Sequence, residues 1–192
     1  EGYPHWSGTV PGDIKFKDIN NDGKINADDR VRRTKNAEPR FVGGFNVNLR
    51  YKNFDLMALF QGALGAETYI QTWSGTVGNY LKDFYDKRWT TENPNVEHPR
   101  AYERENQYWI SNWNTYFIRS CDYLRLKNME LGYNITLPAL KNAGISNARI
   151  YVNATNIFTI DKLKVADPEA DSKDITSYPQ RRVVNFGVSL TF

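Results

Sequence analysis

Five stretches of the chain alternate between apolar and polar side chains with a period of two, which is the pattern of a strand with one greasy face. In FVGGFNVNLRY, Phe41, Gly43, Phe45, Val47, Leu49 and Tyr51 share a face, while Val42, Gly44, Asn46, Asn48 and Arg50 take the other. NFDLMALFQG follows, with Phe54, Leu56, Ala58 and Phe60 opposed to Asp55, Met57, Leu59 and Gln61. Only Lys52 and Asn53 separate the two stretches, so they are expected to form a hairpin. KNMELGYNI sets Met129, Leu131, Tyr133 and Ile135 against Asn128, Glu130, Gly132 and Asn134. The preceding YLRLK is out of step, because Leu124 and Leu126 fall on the polar side; a bulge there, or a stretch lying beyond the membrane, would account for it. ARIYVNATNIF opposes Ile150, Val152 and Ala154 to Tyr151, Asn153 and Thr155. VVNFGVSLTF places Val184, Phe186, Val188, Leu190 and Phe192 together, facing away from Val183, Asn185, Gly187, Ser189 and Thr191.

These stretches run to about ten residues each, the length of a tilted strand that crosses a bilayer, whereas strands of soluble domains average about five or six. Their polar faces are rich in Asn, Ser, Thr and Gly, as suits a wet lumen. The connections alternate: 20–40 is long, 52–53 is a tight turn, 63–122 is very long, 136–147 is moderate and 161–180 is long again. Long loops on one side and short turns on the other are the habit of outer-membrane barrels. The predicted class is therefore all-β with antiparallel strands. The 63–122 connection carries a stretch of helical spacing, NYLKDFYDKRW, with Tyr80, Leu81, Phe84, Tyr85 and Trp89. The aromatics Tyr102, Tyr108, Trp109, Trp113, Tyr116 and Phe117 follow, which predicts a folded lid or binding element rather than a structureless loop.

Composition narrows the choices. The chain has 192 residues with a formal charge of +3, too weak a field to argue for nucleic acid. Mean hydropathy is −0.65 and there is no unbroken apolar run of transmembrane-helix length, which leaves strands as the means of crossing a membrane. Five Trp, 12 Tyr and 10 Phe are a heavy aromatic load for so polar a chain. Cys121 is the single cysteine and His5 and His98 the only histidines, so neither an internal disulfide nor a Cys/His metal cluster is available. The opening EGYPHWSGTV has no basic segment followed by an apolar one, so no signal peptide is read there; the expectation is a protein that is not exported, or a piece of a longer one. Phe41, Tyr51, Phe54, Phe60, Tyr133, Phe158, Phe186 and Phe192 lie near strand ends or on the apolar faces and are expected to form interfacial girdles.

The run DINNDGKINADD carries oxygen-bearing side chains at alternating places. Asp18, Asn20 and Asp22 stand at positions 1, 3 and 5 of an EF-hand-type calcium loop and Gly23 at 6. The Lys24 carbonyl takes position 7, Asn26 position 9 and Asp29 position 12. Hard oxygen donors on a sharp turn suit Ca²⁺, although EF-hands close with the longer Glu and an Asp resembles the dockerin version. The alternative is a polar Asx-rich turn that holds no metal. No helix-forming sequence flanks the loop, so a bound ion would act as a structural staple and not as a switch.

GDIKFKDINNDGKINADDR, NVNLRYKNFDLMALFQGALG, KRWTTENPN, YLRLKNMELGY, ARIYVNATNIFTI and the closing NFGVSLTF occur in that order. As an ordered set they resemble the C-terminal portion of SusC/RagA-type TonB-dependent outer-membrane transporters of Bacteroidetes, from about Pro11 to Phe192. The resemblance implies one part of a 22-stranded transmembrane barrel whose plug domain lies elsewhere. It implies residues 1–40 as an extracellular loop bearing the calcium loop at 18–29, and 41–192 as barrel strands with a long extracellular loop at 63–122. It also implies import of oligosaccharides or peptides, a SusD-like surface lipoprotein as lid, the TonB complex as motor acting through the N-terminal region, and outer-membrane lipid as solvent for the apolar faces. Trp89, Trp109 and Trp113 are then candidates for substrate or partner contact, since Trp and Tyr stack on sugar rings and anchor interfaces. The ending Phe186, Val188, Leu190, Phe192 resembles the signal read by the barrel assembly machinery.

A soluble, calcium-stapled β-sandwich that binds carbohydrate shares the strands, the aromatics and the loop. The two readings differ in what covers the apolar faces. There is no His–carboxylate–nucleophile pattern, HExxH or phosphate loop, and no acidic pair stands out as a glycosidase dyad, so no enzymatic role is expected. Asn153-Ala154-Thr155 matches a glycosylation sequon but falls within a strand.

Overall fold

The hairpin at Lys52–Asn53 sets the architecture. Lys52 adopts a left-handed backbone (φ 53°) and reverses the chain in two residues. β1 (Phe41–Tyr51) then pairs in full register with β2 (Phe54–Leu64), from Tyr51 opposite Phe54 to Phe41 opposite Leu64. The computed structural model describes residues 3–70, 82–101, 112–170 and 178–192. β2 pairs next with β7 (Tyr123–Ile135), β7 with β8 (Asn147–Asp161) and β8 with β9 (Val183–Thr191), all antiparallel. The result is one five-stranded sheet in the order β1-β2-β7-β8-β9, open at β1 and β9. These are the five alternating stretches of the sequence.

β7 is longer than its alternation alone indicates. Lys127 is skipped in the pairing with both neighbours, between Leu126 and Asn128. That one extra residue puts Leu124 and Leu126 on the same face as Met129 and Leu131, so the apparent mismatch upstream is a β-bulge inside a continuous strand. β8 answers with its own irregularity at Asn156, which has a positive φ of 52°.

Two glycines let long side chains cross the sheet. A Cβ on Gly132 would stand 2.2 Å from Arg149 Nη2, and one on Gly187 would stand 2.3 Å from the Tyr151 ring. Arg149 and Tyr151, consecutive outward steps on one face of β8, lie flat over the neighbouring strands because those positions carry no side chain.

The chain divides into two compact units, each built from two stretches: Glu1–Thr34 with Tyr69–Ile118, and Lys35–Thr68 with Arg119–Phe192. The second unit holds the five-stranded sheet. The short strands β3 (Glu67–Tyr69) and β6 (Ile118–Ser120) pair, as do the parallel β4 (Arg88–Trp89) and β5 (His98–Arg100). In the first unit the core is aromatic: Phe84 and Phe117 are buried, and Trp6, Ile14, Phe16, Tyr69 and Tyr116 pack on them. Phe84 comes from a short helix, Lys82–Lys87, within the stretch of helical spacing; Tyr80 and Leu81 of that stretch lie outside the described residues. His98 ties the unit together, with Nε2 3.1 Å from Asp83 Oδ2 and Nδ1 2.9 Å from the Tyr116 hydroxyl. The Lys87 ammonium, and next His98, hold the Asp83 carboxyl below the usual carboxylate range.

Replacing Gly132 by Leu is expected to drive Arg149 off the sheet and to cost about 1–3 kcal/mol, the range for overpacking. Urea titration of the folded form, followed by its mobility on unheated gels, measures the loss.

Candidate functional site

The sheet has two chemically distinct faces. On one, cross-strand rows are apolar from edge to edge: Tyr51, Phe54, Tyr133, Ile150 and Val188 form one row, and Leu49, Leu56, Leu131, Val152 and Phe186 the next. Phe45 stacks on Phe60 at 4.7 Å, and Phe54 meets Tyr133 at 4.8 Å. This face is uncovered. Phe45 is 53% exposed, Leu131 41%, Val188 66% and Phe186 85%. No second sheet lies over it among the described residues, the other two sheets being of two short strands each. Water-soluble monomers rarely expose apolar patches beyond a few hundred Å². From Phe41 to Tyr51 the strand spans about 33 Å, or about 25 Å in height at a tilt near 40°, the height of an apolar belt in a membrane barrel.

The opposite face is polar and cross-linked. The Arg149 guanidinium donates to Asp55 (Nε to Oδ1, 3.1 Å) and Glu130 (Nη2 to Oε1, 2.8 Å), and Asn134 donates to Asp55 Oδ1 at 3.1 Å. Asn185 donates to Asn153 at 3.0 Å. Towards the long-loop end, buried Arg125 donates to Thr159 (2.7 Å), Asp167 (2.7 Å) and Glu169. Lys127 and the Tyr123 hydroxyl also donate to Glu169, at 2.9 and 3.0 Å. The loop after β8 is thus strapped to the polar face by charges that are tolerable under cover only because they are paired. Burial pushes the Asp167 carboxyl up, but the N–H groups of Gln180 and Glu169 and the Arg125 guanidinium outweigh it and leave it below its ordinary value. At the same end Asp122 accepts from the Gly65 N–H at 2.7 Å, the main cause that holds its carboxyl low.

In the first unit, Asp18, Asn20, Asp22, Lys24, Asn26 and Asp29 fold into one tight loop. Asp18 Oδ2 accepts from Gly23 N–H at 2.8 Å, Asn20 Oδ1 from Asp22 N–H at 3.1 Å and Asp22 Oδ1 from Lys24 N–H at 2.8 Å. Gly23 (φ 77°) supplies the sharp turn. Asp29 closes the loop, its two oxygens accepting from Ile19 N–H and Asn26 N–H, both at 2.8 Å. Those two bonds hold its carboxyl below the usual range. Among the described residues no three His, Cys, Asp or Glu side chains form a metal cluster. The loop's donor set is instead mixed Asp and Asn oxygen with one carbonyl. Asp18 Oδ1 is buried and accepts no hydrogen bond, which leaves a carboxylate oxygen without a positive partner. That orphan fits a hard cation. Asp29 fits less well as a two-oxygen ligand, because both oxygens already brace the loop.

Trp113 is 79% exposed and is held at its other side by Tyr69, ring to ring at 4.3 Å. Trp89 is half-buried on the backbone of Gly12, where its ring fills the space a Cβ would need. Trp109 lies outside the described residues. Beside Trp113 the unit contains a cleft of about 530 Å³, walled in part by the calcium-type loop. Phe186, Val188, Leu190 and Phe192 all lie exposed at the β9 edge of the sheet.

Because the Asp29 carboxyl is depressed in the folded loop, its stabilising effect is present above the ordinary Asp value of about 3.9 and is lost as pH falls below it through the folded value. Protection of the Ile19 and Asn26 amides, taken as exchange relative to the intrinsic rate at each pH, is expected to be high at neutral pH and to be lost in acid. Asp29→Ala is expected to abolish that protection at every pH while β7 amides stay protected.

No family model matches the chain. It is 31% identical over 99% of its length to TonB-dependent receptor P3 of Formosa agariphila, and 30% identical over 95% to TonB-dependent receptor P26 of the same organism. It covers 20% of each, so the chain spans about a fifth of the length of these curated relatives. Among solved structures it is similar to one described as the RagAB peptide transporter, with a TM-score of 0.71 and 25% identity over 95% of this chain and 20% of that one. It is also similar to the RagAB peptide importer in the closed-closed state, with a TM-score of 0.69 and 26% identity over 95% of this chain and 21% of the other. A strand-rich fold, its two-faced sheet and these likenesses agree: the chain is homologous to TonB-dependent outer-membrane transporters of the RagA type.

Proposed function

We propose that the chain is a section of the wall of a TonB-dependent outer-membrane importer, with its apolar face against lipid and its polar face towards the lumen. The observation that carries this is the uncovered apolar face of the sheet, which keeps its register across all five strands. Five strands cannot close a barrel, for which about eight are the practical minimum. The open edges at β1 and β9 are where the remaining strands of a larger barrel, 22 in the family, would pair. The first unit would then stand on the extracellular rim, where a SusD-like lipoprotein closes over the ligand and the TonB complex drives its release inward. The cargo would be oligosaccharides or peptides too large to diffuse. Such a protein does its work by binding and conformational change, and its wall needs no bond chemistry. The β-sandwich alternative would need a second sheet over Phe45, Leu131 and Val188, whose exposure argues against it.

Calcium at the 18–29 loop is part of the same proposal, supported by the orphaned Asp18 oxygen. Asp18, Asn20, Asp22 and the Lys24 carbonyl would hold the ion, with Asn26 and Asp29 closing the loop. Its role would be to stiffen the rim.

The intact protein is expected in the outer-membrane fraction, soluble only with detergent and co-purifying with a lipoprotein. A detergent-free, soluble monomer would sink the proposal. Met129→Arg, in the central row of the apolar face, is expected to cost about 2–4 kcal/mol and to deplete the membrane fraction, as Arg does near the bilayer midplane. Asn48→Arg, on the polar face, is expected to leave it unchanged. For the ion, calorimetric titration with Ca²⁺ should show one site that Asp18→Asn removes.

A further inference from the structure

We propose that the cleft in the first unit binds an acidic peptide, seating an apolar side chain between its walls and a carboxylate on its rim; this deepens the import reading and rests on it for the role of the site. The cleft measures about 530 Å³, within the range of about 300–1,000 Å³ typical of ligand sites. Ile14, Phe16, Ile25 and Trp113 give its walls an apolar lining, interrupted by Asn26 and Asn114. Trp113 offers one ring face to solvent at the mouth while Tyr69 occupies the other side, the posture of an anchor that is already ordered before a ligand arrives.

Charge decides what kind of apolar ligand fits. Lys15, Lys17, Arg30 and Arg33 line the cleft, against a single carboxylate among its described lining residues, Asp29. Asp29 keeps its charge while both of its oxygens accept backbone N–H groups, and Lys15 already lies over the Tyr3 ring, so Lys17 and Arg30 are the cations the rim offers a ligand. Arg30 is oriented by one hydrogen bond to Asn112 Oδ1 at 3.1 Å. A guanidinium has five N–H donors in a fork that matches a carboxylate, so that one bond leaves donors for a ligand. A neutral ligand would leave this cationic rim unused.

The walls distinguish a peptide from a saccharide. A sugar ring seated against Ile14, Phe16, Ile25 and Val31 would turn some hydroxyls towards side chains that cannot pair with them, at the usual cost of burying an unpaired polar group, and only those facing Asn26, Asn114 or Thr115 would find partners. A leucine or phenylalanine side chain has no such groups, and the next residue's carboxylate reaches the rim.

The test uses the intact protein in detergent and three short synthetic peptides, capped at both ends, of one sequence: Gly-Leu-X-Phe-Z-Gly, with X and Z as Glu and Asp, as Gln and Asn, or both as Lys. Calorimetric titration is expected to rank the acidic peptide about tenfold tighter than the amide one, about 1.4 kcal/mol, with the lysine peptide weakest. Raising the salt to about 1 M, where the screening length falls to about 3 Å, is expected to erase most of the preference. Lys17→Gln with Arg30→Gln should erase the difference between the acidic and amide peptides, with unchanged near-ultraviolet circular dichroism reporting that the cleft is still folded. Trp113→Ala should weaken both by about tenfold, in the manner of an aromatic anchor. Equal affinity for acidic and amide peptides, indifference to the double substitution, or tighter binding of an oligoglucuronate of similar length each overturns the assignment. Fractionation of the same preparation separates the two failures. A protein found in the outer membrane that shows no acidic preference defeats this inference alone, while one absent from that membrane defeats the import reading whatever the peptides do.

Discussion

Everything in the sheet depends on a single geometric constraint: side chains of a strand point to alternate faces, so a slip of one residue exchanges the faces completely. Five strands here keep their apolar sets in phase over nine to twelve paired positions in each pairing. The bulge at Lys127 is the place where that phase is corrected, and without it Leu124 and Leu126 would enter the charged side beside Asp167 and Glu169. The cost of such an exchange is large on both sides of the sheet. Leucines would lose their apolar surroundings, and Arg125 would be carried away from the carboxylates that make its burial tolerable.

The polar face is held together by ion pairs of long sequence reach. Arg149 ties β8 to Asp55 on β2 across β7, and can do so because Gly132 leaves the surface of β7 bare. Arg125 and Lys127 draw the loop after β8 back over the wall. These contacts are under partial cover, where opposite charges are screened less than on an open surface. They give the polar face a defined relief rather than a fringe of mobile side chains. The apolar face has no such cross-links among the described residues; in the proposed wall its rows would be matched to a medium and not to a specific partner.

The first unit works by a different principle. It has an aromatic core of a few rings, a histidine between a carboxylate and a phenol, and a loop braced by its own side chains onto its own backbone. The braces of the loop leave one oxygen of Asp18 without a donor while satisfying both of Asp29. That asymmetry supports the proposed cation site at Asp18.

Much of the sheet was legible in the sequence, because period-two alternation is a local property and each strand carries it in its own ten residues. Phe41–Tyr51 was read to the residue, the two-residue hairpin followed from its length, and the misfit at Leu124 and Leu126 marked the bulge. The tight turn at 18–29 was legible for the same reason, its Asp and Asn side chains lying within twelve consecutive positions. The family was legible in the order of its motifs. What only the tertiary structure decided is what lies far apart in the chain. Residues 1–34 join 69–118 as one unit, Asp167 and Glu169 pair with Arg125, and Arg30 meets Asn112 beside Trp113. No local pattern encodes those meetings, since each is a choice among many carboxylates and cations of equal intrinsic chemistry. It is settled only when the backbone has brought one pair within hydrogen-bond distance and carried the others away.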